Sequence, residues 1–178
     1  MADAVLGFWF DELTPAEWFV ANAELDRKIA QRFGDVYALL ATALPEGWPA
    51  TASAQLAAVI ALDQFPRNMF RGTAQAFATD ASALRIAEAA LDAGLDRQLK
   101  PVQRQFLYLP FQHSEQAADQ ERSIALYAAL GNAHALDFAR RHKAIIDRFG
   151  RFPHRNGALG RPSTAEETAF LALPGSSF

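Results

Sequence analysis

The chain has 178 residues, of which 51% are hydrophobic and 21% charged, and its formal net charge at pH 7 is −3. This composition excludes an intrinsically disordered chain, and no apolar run approaches the roughly 20 residues of a membrane-spanning helix. The absence of cysteine excludes disulfides and zinc–cysteine sites and predicts a cytoplasmic location. The first residues also lack the basic start of a secretory signal.

Apolar residues recur every three or four positions along most of the chain, and no strand-like alternation is present. The first elements are therefore predicted to be helices, beginning with a short one from Asp3 to Phe10. Thr14, Pro15 and Glu17 have the pattern of a second helix start, with a cap, a proline at the first helical position and a capping-box acid. That helix is predicted to extend to the proline- and glycine-rich stretch near residue 47.

The middle of the chain is divided by caps and prolines. Thr51 is predicted to begin a helix that ends near Gln64, because the residue before Pro66 avoids helical geometry. Thr73 is predicted to cap a long helix, which Gly94 ends.

Prolines and caps also divide the last third. Pro110 is predicted to separate a short helix beginning at Pro101 from a helix capped by Ser114. One more helix follows up to residue 149, and Ser163 or Thr164 caps the last. Together these elements predict one all-α domain over residues 1–178, with about eight helices packed as helical hairpins.

Two stretches repeat the same polar residues, and we name them the first motif (residues 63–73) and the second motif (residues 148–161). Each contains Phe-Pro, then Arg-Asn, then Gly near another Arg. The first motif carries a net charge of +1 and the second +4, so the rest of the chain carries −8. An acidic body repels a long polyanion, so we expect no nucleic-acid partner, whereas a small anion can bind locally.

The arginines of the two motifs are the candidate ligand-binding groups. Guanidinium binds carboxylate or phosphate in a fork, and proline and glycine can fix a loop close to a ligand. The sequence therefore predicts a pocket for a small anionic ligand. The predicted ligand-binding residues are Arg67, Asn68, Arg71, Arg151, Arg155, Asn156 and Arg161. Alternatively, these arginines bind internal carboxylates or helix-end carbonyls and join the loops together.

A His-Ser-Glu sequence at residues 113–115 supplies groups for acid–base chemistry. His113 has an ordinary pKa near neutrality, and Glu115 or Asp63 can be its acidic partner. His154, in the second motif, can face His113 across a cleft. Ser114 is better explained as a helix cap, because the chain has no Gly-x-Ser-x-Gly elbow. The predicted catalytic residues are His113, Glu115, His154 and Asp63.

Neither a metal nor a cofactor is predicted. The four histidines lack the i, i+4 spacing of a helical zinc site, and no Gly-x-x-x-x-Gly-Lys loop is present for a nucleotide. His142, between Phe138 and Ile145 on an apolar face, is expected to be a buried structural histidine.

Several stretches resemble the signatures of one bacterial family. They are residues 62–73, 110–115 and 148–161, the opening Phe8-Trp9-Phe10 and the ending at residues 174–178. Over essentially its whole length the chain resembles the family catalogued as domain of unknown function 924. One departure is Gln112, where many relatives carry Met or Glu. The resemblance implies a helical fold similar to tetratricopeptide-repeat proteins and implies no established activity.

Three functions stay open at this point. The first is a pocket for a small anion, with acid–base catalysis as an extension. The second is a tetratricopeptide-like module that binds a peptide, although the chain shows no fixed repeat period. The third is a purely structural role for the polar motifs. The tail at residues 174–178 is further predicted to fold back against a basic loop.

Overall fold

The computed structural model describes residues 1–176, and within them it contains helices and no β-strand. The predicted all-α fold is confirmed. The α-helices are α1 (Ala2–Gly7), α2 (Ala23–Thr42), α3 (Ala52–Val59), α4 (Phe65–Met69), α5 (Asp80–Asp92), α6 (Pro101–His113), α7 (Ala117–Leu130), α8 (Ala133–Phe149) and α9 (Ala165–Leu171). In this described part, none of the helices combines the length and the apolar character needed to cross a bilayer. The prediction for the tail falls partly on residues 177 and 178, which lie outside the described range.

A column of aromatic rings forms the centre of the core. The Phe8 ring lies 5.1 Å from Phe33, Phe33 lies 4.9 Å from Phe65, and Trp9 lies 5.6 Å from Phe106, measured between centroids. These rings join α2, α4 and α6 to the π-helical turn Phe8–Glu12 that extends α1. Each buried ring contributes roughly 1.5–3 kcal/mol by leaving water, so the aromatic column is a major source of stability.

The chain between the π-helical turn and α2 is not helical, so the helix start predicted at Thr14 is wrong. The Thr14 amide and hydroxyl both donate to Glu17, but the bonding stays local. Trp18 instead donates from Nε1 to the carbonyl of Trp9, 2.7 Å away, and this tertiary bond holds the segment out of a helix. The helix begins later, after Asn22, whose side chain caps α2.

The third helix continues through Pro66, so its predicted end near Gln64 is also wrong. A π-helical turn at Ile60–Gln64 joins α3 directly to α4. Pro66 has no N–H for the carbonyl of Leu62, and the buried Thr79 hydroxyl donates to that carbonyl instead. A π-turn inside an α-helix is frequently a feature of functional sites. Here the turn carries Asp63 into the interior.

Helix α6 likewise continues through Pro110, where a break was predicted. The neighbouring helix α7 binds α6 before the proline, where the Tyr127 hydroxyl donates to the carbonyl of Gln105 at 2.8 Å. Helix α6 ends at His113. The helix after it begins at Ala117, and the Ser114 hydroxyl accepts from the Gln116 amide in the turn between them, outside the cap position predicted for it.

Helices α6, α7 and α8 pack in sequence, each against the next, and short turns connect them. After α8 the chain passes through a 3₁₀ turn at Pro153–Arg155, against which α9 packs. A small second apolar cluster of Ile145, Ile146 and Phe152 anchors this region. The second motif is thereby held beside the C-terminal end of α6.

Candidate functional site

The centre of the site is a carboxylate–imidazole pair between residues 50 positions apart. His113 Nδ1 lies 2.8 Å from Oδ1 of Asp63. Asp63 is completely buried, whereas 13% of the His113 side chain is exposed. The other carboxylate oxygen of Asp63 accepts from Nε2 of Gln64, and Arg67 Nη1 lies 3.3 Å from Oδ1. The structure thus brings two of the predicted catalytic residues into direct contact.

The surroundings fix the protonation of this pair. Burial opposes the charge on Asp63, but Arg67 and His113 outweigh it and hold the pKa of that carboxyl below its usual range. Burial, and then the charge of Arg67, lowers the pKa of His113. The imidazole is therefore neutral at pH 7. Because an ionised carboxylate can only accept, Nδ1 carries the hydrogen and Nε2 carries the lone pair.

One arginine from each motif binds the same carboxylate, that of Asp80 at the start of α5. Arg67 donates to it with two nitrogens, at 2.9 and 3.0 Å, and Arg155 donates at 3.0 Å. Both guanidinium groups also lie over the ring of Phe77, at 5.7 and 4.6 Å from its centroid. The two motifs converge in space, and the anion that lies between these two arginines is the carboxylate of Asp80.

Glu115 anchors the second motif to the end of α6. Its carboxylate accepts two bonds from Arg161, at 2.7 and 2.9 Å, and a third from the backbone amide of Phe152 at 2.8 Å. Burial opposes the charge, but the Arg161 and Phe152 bonds hold the pKa of Glu115 below its usual range. Arg161 also donates from Nε to the Asn156 side chain. Glu115 is thus an ionised anchor of this loop.

The remaining ligand-binding candidates bind carboxylates on other helices. Asn68 and Arg71 both donate to Asp26 on α2, at 2.8 to 3.0 Å. Arg151 donates to Glu167 on α9, at 2.6 and 2.8 Å. Every arginine predicted to bind a ligand therefore has a carboxylate partner. This pairing favours the alternative in which the arginines join segments, and an anion-binding role for them stays a prediction.

Two more imidazoles lie near His113. The His142 ring is 6.1 Å from that of His113, and the Phe152 ring lies 5.6 Å from both His142 and His154. Burial lowers the pKa of His142 to about 3 and that of His154 to about 4. His142 is buried, as expected from its apolar face. Within residues 1–176, no group of three or more His, Asp or Glu is arranged to hold a metal ion.

Sequence reasoning missed the residues that support this site. Asp80 and Phe77 lie between the motifs, and Gln120 binds the end of α6 from α7. In the sequence Asp80 has only the pattern of an ordinary acid near a helix start.

Two cavities, of about 290 and 640 Å³, lie elsewhere: the first beside Trp48 and the second beside His134. Neither is lined by a predicted catalytic or ligand-binding residue.

Comparisons with known proteins give similarity to proteins of unknown function. The family "Bacterial protein of unknown function (DUF924)" matches over residues 5–175. A solved structure, "Structure of Protein of Unknown Function ATU0120 from Agrobacterium tumefaciens", is 41% identical, with a TM-score of 0.91. The similarity covers 96% of this chain and 96% of that one. No curated protein matches the chain.

Proposed function

We propose that this chain, which belongs to the bacterial DUF924 family, binds a small molecule at the exposed edge of His113 and removes a proton from it. The observation that carries the proposal is the 2.8 Å contact between His113 Nδ1 and the fully buried Asp63. A carboxylate on one imidazole nitrogen turns the other nitrogen into an oriented base. The role proposed for His113 is therefore that of a general base.

The availability of Nε2 supports this role. No residue from 1 to 176 forms a hydrogen bond with Nε2 of His113, and the ring is partly exposed. The lowered pKa of His113 keeps the lone pair free of a proton at pH 7. A base must be unprotonated and within reach of the hydrogen it removes, and His113 meets the first condition before any ligand arrives.

The rigidity of Asp63 supports the proposal as well. Gln64 and Arg67 both contact its carboxylate, and Arg67 Nη1 also donates to its backbone carbonyl. These contacts restrict the carboxylate to one orientation, so the imidazole is also held in one orientation. A general base fixed in this way contributes about 10²- to 10⁴-fold to a reaction rate.

The charges around His113 favour a neutral ligand over an anion. Arg67 and Arg155 are balanced by Asp63 and Asp80, and all four groups are more than three-quarters buried. An anion that bound these arginines would have to displace Asp80, which already accepts three hydrogen bonds from them. A neutral molecule with an acidic O–H or N–H can meet Nε2 without breaking any of these bonds.

The alternative is a peptide-binding module of the tetratricopeptide-like kind, and one observation favours it. Val102, an exposed apolar residue, lines the 640 Å³ cavity together with Pro101 and Leu130. Exposed apolar side chains near a groove are typical of peptide-binding surfaces. This surface does not use His113, so a substitution at His113 separates the two functions.

The test is a thermal-shift screen of small metabolites, with neutral, anionic and cationic compounds, on the wild type and on His113→Gln. Neutral compounds with an acidic hydrogen are expected to raise the melting temperature of the wild type. The shift should disappear in His113→Gln, whose own unliganded melting temperature shows whether the fold is retained. Hits that persist in the folded variant, or a screen without any His113-dependent hit, would contradict the proposal. Stabilisation by peptides alone would favour the module.

A further inference from the structure

We infer that Gln120 is a positioning residue for His113, and this inference rests on the proposed role of His113 as a base. Gln120 lies on α7 and is completely buried. Its Nε2 donates to three carbonyls at the end of α6: Phe111 at 3.3 Å, Gln112 at 2.8 Å and Ser114 at 2.7 Å. One side chain from a neighbouring helix therefore holds the turn that carries the base.

The end of α6 needs such partners. The last carbonyls of an α-helix have no donor within the helix, and buried carbonyls without donors are costly. The carbonyl of His113 itself accepts from Arg155 Nη2 at 2.9 Å. Gln120 and Arg155 thus supply side-chain donors to all four carbonyls from Phe111 to Ser114. The backbone of His113 is held from α7 on one side and from the second motif on the other.

This backbone position determines where the imidazole points. The Nδ1 contact of His113 with Asp63 joins α6 to a different helix, and at 2.8 Å it lies within the range of a strong hydrogen bond. A displacement of about 1 Å would take it out of that range, and misplacements of this size can cost a catalytic group about 10²-fold in rate. Loosening the end of α6 should therefore release the imidazole from Asp63.

The burial of the amide also points to a specific role. Within residues 1–176 the Oε1 atom of Gln120 has no hydrogen-bond partner, although it is buried. An apolar side chain of similar size would fill the same space without that desolvation cost. An amide is needed at this position because its Nε2 donates hydrogen bonds to three carbonyls, which an apolar side chain cannot do.

The test is Gln120→Met, which keeps the length of the side chain and removes both N–H donors. Long-range ¹H–¹⁵N NMR correlation reports which nitrogen of His113 carries the hydrogen. The wild type should show only the Nδ1–H tautomer. Gln120→Met should show a mixture of both tautomers, and the pKa of His113 should fall further, because the imidazole loses the contact with Asp63 that raises it.

Ser123→Ala is the matched control. Ser123 is equally buried one turn further along α7, and its hydroxyl has no partner within residues 1–176. This variant should keep the wild-type tautomer and the wild-type pKa of His113. If it shifts them as much as Gln120→Met does, the effect comes from general loosening of α7, and the inference is overturned.

A folded Gln120→Met with the tautomer and pKa of the wild type would overturn the inference, because Gln120 would then only fill the core. Should that variant fail to fold, Gln120→Asn, which withdraws the amide by one methylene, is measured in the same way with the same criterion. The tautomer and pKa of His113 are measured without a ligand. The positioning role of Gln120 can therefore be supported even if no ligand binding depends on His113. Conversely, a ligand that depends on His113 but an unshifted Gln120→Met would overturn the positioning role alone.

Discussion

The first and second motifs carry the same residue types on different backbones. The first motif begins in the π-turn and continues through α4, whereas the second is a loop with a 3₁₀ turn between α8 and α9. Each nevertheless sends one arginine, Arg67 or Arg155, to Asp80. The repeated residue types therefore do not indicate a structural repeat. In both motifs an arginine binds an internal carboxylate, although the two backbones have different structures.

The ion pairs of the two motifs differ in how deeply they are buried. In the first motif, Arg71 is 47% exposed where it binds Asp26. In the second motif, the Arg155 side chain is only 8% exposed where it binds Asp80, and Phe77 and Phe152 lie against its guanidinium group. Exposed ion pairs contribute little to stability, whereas removing one partner of a buried pair is costly. The difference predicts that the buried pairs at Asp80, which binds one arginine from each motif, are more sensitive to the loss of their carboxylate than the pair of Arg71 with Asp26.

The largest effect is expected from Asp80→Ala. It leaves Arg67 and Arg155 facing each other without the carboxylate that both bind, and we expect the free energy of unfolding to fall by about 3–5 kcal/mol in urea titrations. The matched control is Asp26→Ala, which removes the partner of the 47% exposed Arg71 and should cost about 1 kcal/mol. Equal losses in the two variants would contradict the difference in depth.

Acid should weaken the second motif, because this motif contains a histidine that is held neutral in the fold. Burial, and then Arg155, lowers the pKa of His154 to about 4. The unfolded chain, with an ordinary histidine pKa of about 6.5, binds protons more readily. The stability supplied by neutral His154 is therefore complete above about pH 6.5 and declines as the pH falls toward 4.

Unfolding in urea at several pH values between 7 and 4 tests this dependence. In His154→Gln the free energy of unfolding should fall less steeply, by up to about 1.4 kcal/mol per pH unit. The lowered pKa values of Asp63 and Glu115 place their own loss of stability lower, below about pH 4. An identical slope in the wild type and the variant would show that His154 does not titrate as described.

A smaller effect is expected from Glu115→Gln. This change removes the charge that accepts from Arg161 and from the Phe152 amide, and the free energy of unfolding should fall by about 1–2 kcal/mol. The same change at Glu166, an exposed partner of Arg148, should cost no more than about 0.5 kcal/mol. If Glu166→Gln costs as much, Glu115 is not the anchor of the loop.

The smallest effect is expected from Asn68→Ala, at about 0.5–1 kcal/mol, because Asp26 keeps its two bonds from Arg71. The corresponding change in the second motif, Asn156→Ala, should cost more. Asn156 is buried, accepts from Arg161 and donates to Ser163. Thermal unfolding of the two variants side by side gives the comparison, and the reverse order would contradict the account of the two motifs.

The fold class follows from the helical spacing of apolar residues, but the prediction that Pro66 and Pro110 interrupt helices is wrong. Pro66 and Pro110 were predicted to end helices, yet both lie inside continuous helical segments. At Pro66 a tertiary donor replaces the missing N–H, because the Thr79 hydroxyl donates to the carbonyl of Leu62. Such a donor comes from residues distant in sequence, so no local rule could have located it.

The site was predictable in its residue types and not in its pairings. Asp63, His113 and the arginines were identified because charged groups beside prolines and glycines are unusual. Their partners Asp80 and Gln120 lie in helices of ordinary composition, and only the packing of α5 and α7 against α6 shows their role. Which arginine binds which carboxylate depends on distances that the sequence does not contain.

The most direct test of the central claim is the reaction of native protein with diethyl pyrocarbonate, which acylates neutral imidazole nitrogens, followed by mass spectrometry at each histidine. We predict that His113 is modified in the folded protein and that its rate constant falls only at a lower pH than that of free imidazole, because burial and Arg67 lower its pKa. A folded protein in which His113 resists modification, or reacts with the midpoint near 6.5 of free imidazole, would contradict an accessible base held neutral beside Asp63.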